Sequence, residues 1–146
     1  MTPRTTDDPY DLQRFVAAQD AAGAYARALS ELRAGSKRSH WIWFVFPQIA
    51  GLGHSSNART YAISSLAEAR AYLADPLLGR RLIECARALV ELEGRSAAEI
   101  LGEIDAVKLC SSMTLFAAAA PDEPLFAQVL DRYFGGLADA ATEQRL

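Results

Sequence analysis

Histidine, cysteine and lysine each occur only twice in these 146 residues, and the scarcity of the first two removes classes of function. The cysteines, Cys85 and Cys110, have no metal-ligand spacing and no second thiol nearby, so they read as reduced, buried small hydrophobes. His40 and His54 lack the i, i+4 spacing of helical zinc ligands, and neither a cysteine nor a carboxylate pair accompanies them. A nucleophilic triad is equally poorly served: no histidine lies near a cysteine, and no serine sits in a Gly-x-Ser-x-Gly elbow. Neither a metal nor a cofactor is called for. No run approaches the roughly 18 uninterrupted apolar residues of a membrane span, and the first eight residues carry no apolar signal-peptide core. The expected location is therefore cytoplasmic, without a membrane partner. A net charge of −3 argues against a surface that coats nucleic acid.

What is present is apolar residue in quantity, 51% of the chain, together with strong helix punctuation. Residues 1–7 read as a disordered leader and 8–146 as a single domain, long enough to bury about two thirds of its unfolded surface. Asp8-Pro9 predicts a capped helix start. Leu12, Phe15, Val16 and Gln19, then Tyr25, Ala28, Leu29 and Leu32, follow helical spacing, with Ala22-Gly23 as the open question of a break and Gly35 as the terminator. Ser65 with Glu68 and Ser96 with Glu99 are capping-box pairs; Asp75-Pro76, Asp105, Pro121 to Pro124 and Asp139 mark further starts. The fold class expected is mainly α, a compact helical bundle of about six to eight helices. One segment stays open. Trp41 to Phe46 is apolar on both faces and rich in aromatic and β-branched residues, which favours a short buried strand but does not separate it from a buried helical turn.

That segment lies in the densest stretch of the chain. Between Gly35 and Ser55 fall both tryptophans, both histidines and Lys37. Aromatic faces offer stacking surface, and Lys37, Arg38 and the imidazoles offer anion-seeking or proton-transferring groups. The alternative is that the aromatic run is simply core with solvated cations beside it. Because arginine outnumbers lysine 13 to 2, Lys37 and Lys108 are candidates for places where a compact ammonium is wanted. On a helix, Asp105, Lys108 and Ser112 share a face, a set able to bind a polar ligand or assist proton transfer. A capping Asp with an i+3 ion pair and hydroxyls bonded to helix carbonyls would look the same. Arg80, Arg81 and Arg87 read as a solvated helix face.

The stretches Lys37-Arg38-Ser39-His40-Trp41-Ile42-Trp43-Phe44-Val45-Phe46-Pro47-Gln48, Gly51-Leu52-Gly53, Tyr61-Ala62-Ile63-Ser64-Ser65, and Lys108-Leu109 with Ser111-Ser112-Met113-Thr114-Leu115-Phe116 resemble the signature of a bacterial family catalogued as domain of unknown function 1810. The resemblance spans nearly the whole chain, from Asp11 to Thr142, and implies a compact, mostly helical cytosolic domain with no established reaction. Cys110 stands where the family pattern has an arginine, so no anion contact is carried to it. A more distant similarity, to YbiA-like proteins that act on or bind NAD- and ADP-ribose-derived compounds, rests on Met113, Phe116, Leu130, Gly135 and Asp139; no catalytic role is carried across.

The functional expectation is a domain that binds or processes a small anionic, ADP-ribose-like or other phosphorylated nucleotide-like metabolite, by N-glycosidic cleavage if it is an enzyme. Its candidate catalytic residues are His40 and Asp105. Its candidate ligand-binding residues are Lys37, Arg38, Trp41, Trp43, Gln48, Lys108, Ser111 and Ser112. The competing expectation is a non-catalytic interaction module, one half of a homodimer, with exposed aromatics at the interface.

Overall fold

A computed structural model describes residues 8–146, so the leader assigned to residues 1–7 lies outside the described residues. The described chain is helical throughout: α1 (Gln13–Asp20), α2 (Ala24–Ala34), α3 (Ile42–Val45), α4 (Ser56–Thr60), α5 (Leu66–Ala74), α6 (Leu78–Glu91), α7 (Ala97–Leu101), α8 (Glu103–Ala119), α9 (Leu125–Phe134) and α10 (Ala140–Glu143). Six of these, α1, α2, α5, α6, α8 and α9, run eight residues or more. The sole extended pairing among the described residues is a parallel bridge between Ile49 and Ile63.

Helix α8 is the centre. It is apolar on nearly every side, with Leu109, Met113, Leu115 and Phe116 fully buried, and it packs on α5, α7, α9, α10 and α3. Around it lie amphipathic helices. On α6, Leu78, Leu82, Cys85 and Leu89 recur at helical spacing and face inward, while Arg80 and Arg87 face water. Gly79 lets this helix approach α5, since a Cβ there would stand 2.1 Å from the Leu73 carbonyl oxygen.

Several predicted boundaries need correction. Asp8 does cap, but from a distance: its carboxylate accepts from the N–H groups of Leu12 and Gln13, so α1 begins four residues later than Asp8-Pro9 suggested. Ala22 (φ 51°) and Gly23 (φ 71°) adopt left-handed backbone, which settles the break between α1 and α2. Ser65 caps α5 through the Glu68 N–H, but the Glu68 carboxylate turns to Ser64 and to Arg14 at 2.9 Å instead of closing a box. The box at Ser96 and Glu99 is complete. Arg81, expected in solvent, is half-buried, 2.9 Å from Asp20 and 4.6 Å over the Tyr25 ring.

The aromatic run is a helical turn, not a strand. Val45 N–H donates to Trp41 O at 3.1 Å and Phe46 N–H to Ile42 O at 3.0 Å, satisfying the backbone locally where the described residues offer no neighbouring strand to do so. A helical turn projects side chains in all directions, which suits a segment buried on both sides; Pro47 then stops it. Gln48 follows, its backbone pinned to Ile63 by a 2.8 Å hydrogen bond.

Candidate functional site

The site begins at the end of α2. Gly35, with φ of 74°, closes that helix as a left-handed cap. The chain then folds back over Glu31, whose carboxylate accepts from Arg38 N–H at 2.8 Å, Ser39 N–H at 3.1 Å, Ser39 Oγ at 2.8 Å and Trp41 Nε1 at 2.8 Å. Burial pushes the Glu31 carboxyl up, but the hydrogen bonds from Arg38, Trp41 and Ser39 outweigh it and bring it from 4.5 down to about 2. Trp41 is thereby locked, 1% exposed, and its ring lies 5.3 Å from the Lys37 ammonium. Lys37 N–H donates to Ile100 O at 2.7 Å, which lays this loop against the junction of α7 and α8.

Gly102 makes that junction with φ of 87°, a conformation that suits glycine, and α8 starts at Glu103 rather than at Asp105. Asp105 therefore sits in the first turn. Its Oδ2 is 2.9 Å from Lys37 Nζ and its Oδ1 3.7 Å from Lys108 Nζ. The two lysines of the chain, 71 residues apart, converge on one carboxylate. A groove opens on each side of this centre. One, of about 470 Å³, is lined by Lys37, His40, Gly102, Glu103, Ile104 and Asp105; the other, of about 300 Å³, by Gln48, Leu52, Gly53, Ile104, Val107 and Lys108. Ile104 lines both.

The structure thus brings together Lys37, His40, Asp105, Lys108 and Gln48. Arg38 is exposed beside them, joined to the loop through its backbone N–H. It does not bring the tryptophan rings into the open: Trp41 is core beneath Lys37, and Trp43 is half-buried against the same core. Ser111 also departs from the expected role. Its Oγ stands 3.1 Å from both the Val107 carbonyl and Asp139 Oδ2, tying α8 to the cap of α10. Ser112 shares the helix face of Asp105 and Lys108 but is wholly buried, and its Oγ has no partner among the described residues.

Three contributors escape sequence reasoning. Glu31 carries no local motif, because its partners lie seven to ten residues away around a loop. Ile104 and Val107, 74% and 61% exposed, break the rule that large aliphatics on a core helix face inward. Their i, i+3 spacing was a legible signal. A separate cavity of about 290 Å³, lined by Leu73, Gly79, Arg80, Ile83, Glu123 and Phe126, lies toward the other end of α8 and gathers none of the candidate residues. Among the described residues no group of three or more His, Cys, Asp or Glu side chains could hold a metal ion, and no helix is long and apolar enough to cross a membrane.

Residues 9–146 match the model of a family described as protein of unknown function (DUF1810). The crystal structure of the conserved hypothetical protein Rv1873 from Mycobacterium tuberculosis is similar over 95% of this chain and 98% of that one, with a TM-score of 0.92 and 53% sequence identity. No curated protein matches the chain.

Proposed function

The chain belongs to the DUF1810 family, described as proteins of unknown function, and from that premise we propose that it binds a small anionic, nucleotide-like metabolite across the Lys37–Asp105–Lys108 centre. One observation carries the reading: in a chain whose cations are otherwise arginine, both lysines reach a single carboxylate between two open grooves. An ammonium is a compact charge with three donors, so neither lysine is exhausted by one carboxylate oxygen. Lys108, at 3.7 Å, is the more loosely held and keeps its donors available to a ligand anion. Glu103 and Asp105 line the larger groove, where carboxylates can accept from ligand hydroxyls.

If the domain is catalytic, its reaction is hydrolysis of an N-glycosidic bond, in which water adds to the sugar carbon and the base departs with a proton. Asp105 is the carboxylate beside the forming oxocarbenium charge, and His40, on the rim of the same groove, handles the proton. The test is calorimetry and thermal shift with ADP-ribose, NAD and nucleoside phosphates, on the parent chain, Lys37→Ala and Lys108→Ala. The expected result is binding that both substitutions weaken at least tenfold. No binding across the panel, or binding indifferent to both lysines, removes the proposal. Release of free base, followed by chromatography and abolished in Asp105→Asn, separates an enzyme from a binding protein.

A further inference from the structure

The smaller groove has a chemistry different from that of the larger one. Its walls are Leu52 on the loop and Ile104 with Val107 on α8, and its one charged lining residue is Lys108. Ile104 and Val107 stand one helical turn apart on the same face, both well exposed, so they form a small apolar shelf. Gln48 closes one side. Its backbone is fixed by the Ile63 bridge, and its side-chain amide makes no hydrogen bond among the described residues, which leaves a donor and an acceptor uncommitted. Two large aliphatics in water, an unspent amide and an ammonium held only loosely, 3.7 Å from Asp105 Oδ1, match a ligand with an apolar face, a hydrogen-bonding edge and a negative charge. The volume of about 300 Å³ lies at the small end of the range for small-molecule sites.

We infer that this groove is a ring subsite: a planar nitrogen heterocycle lies on Ile104 and Val107, its polar edge meets the Gln48 amide, and the anionic group attached to it is held by Lys108. The inference rests on the ligand reading above and moves the ring from the tryptophans, one buried and one half-buried against the core, to the aliphatic shelf of α8. The opposite groove, with Glu103 and Asp105, is then left for hydroxyl-bearing parts of the same ligand.

The experiment compares adenosine 5′-monophosphate with ribose 5-phosphate, which keeps the sugar and the anion but has no ring. Calorimetry is run on the parent chain and on Ile104→Ser, Val107→Ser and Gln48→Ala, with oligomeric state followed by light scattering. Expected is binding of the nucleotide at least tenfold tighter than that of the sugar phosphate, weakened about tenfold by each substitution on the shelf, with sugar phosphate binding unchanged. Equal binding of the two probes, unaffected by Ile104→Ser and Val107→Ser, overturns the ring subsite and leaves the anion site standing. No binding of either probe overturns both. A dimer in the parent chain that the shelf substitutions dissociate, without a change in nucleotide affinity, assigns the shelf to a second copy and overturns the inference. Both shelf residues are exposed, so their substitution leaves the fold intact, and an unchanged melting temperature checks that.

Discussion

Lys37 Nζ lies 2.9 Å from Asp105 Oδ2, joining a loop after α2 to the first turn of α8 across 68 residues of chain. The Lys37 side chain is 9% exposed, so its ammonium faces that carboxylate and the Trp41 ring, with little water around it. A pair this sheltered stabilises less by attraction than by the cost of leaving one partner alone.

Asp105→Asn removes the charge while keeping the shape. It leaves a sheltered ammonium unpaired and sets Lys37 and Lys108 against each other, at an expected cost of about 2 kcal/mol. The melting temperature should fall by about 4–8 °C. A fall no larger than the roughly 0.5 kcal/mol of an ordinary surface substitution would show that the pair does not anchor the loop.

Glu31 makes the same loop sensitive to acid. Its folded carboxyl titrates near 2, below its ordinary 4.5, so it stabilises the fold fully above 4.5 and that contribution is lost as pH falls from 4.5 toward 2. Because the group is only partly sheltered, the expected size is about 1–2 kcal/mol after screening. In urea titrations at pH 7 and pH 3, the gap between the parent chain and Glu31→Gln should narrow by rather more than half of that amount on acidification. A gap that stays constant would sink the assignment.

The adjacent serines of α8 should behave oppositely. Ser111→Ala removes the hydroxyl that reaches Asp139 and should cost about 1 kcal/mol. Ser112→Ala deletes a buried hydroxyl that has no partner among the described residues, and should be neutral or stabilising by up to about 1 kcal/mol. Chemical denaturation of both variants decides it, and a marked loss in Ser112→Ala would point to a bound water or ligand group on that oxygen.

Gly79→Ala is expected to be severe although its backbone φ is ordinary. The new methyl would meet the Leu73 carbonyl oxygen at 2.1 Å, and both groups belong to packed helices that cannot give way easily. A cost of about 3 kcal/mol or more follows, visible as a lowered denaturation midpoint. A tolerated Gly79→Ala would mean that α5 and α6 can separate without loss.

Much of the helical plan was legible because it is written locally. The helical spacing of Tyr25, Ala28, Leu29 and Leu32, the box at Ser96 and Glu99, the glycine cap at 35 and the Asp139 start all depend on residues within a turn or two of one another. The errors have the same source. Asp8 caps across a turn that only the folded backbone defines, Glu68 leaves its box because Arg14 from another helix claims it, and Arg81 leaves water for Asp20 and Tyr25. Trp41 to Phe46 was ambiguous for a different reason: burial on both sides erases the period that distinguishes strand from helix.

The sequence by itself determined that this is a helical domain, that its family is DUF1810, and that Lys37, Asp105 and Lys108 deserve notice. Those conclusions need only periodicity, caps, scarcity and a specific run of residues. Only the tertiary structure decided which candidates meet. Convergence on Asp105, the covering of Trp41, the burial of Ser112 and the exposure of Ile104 and Val107 are set by how α2, α3 and α8 pack. Those contacts join residues too distant in sequence for any local pattern to encode them.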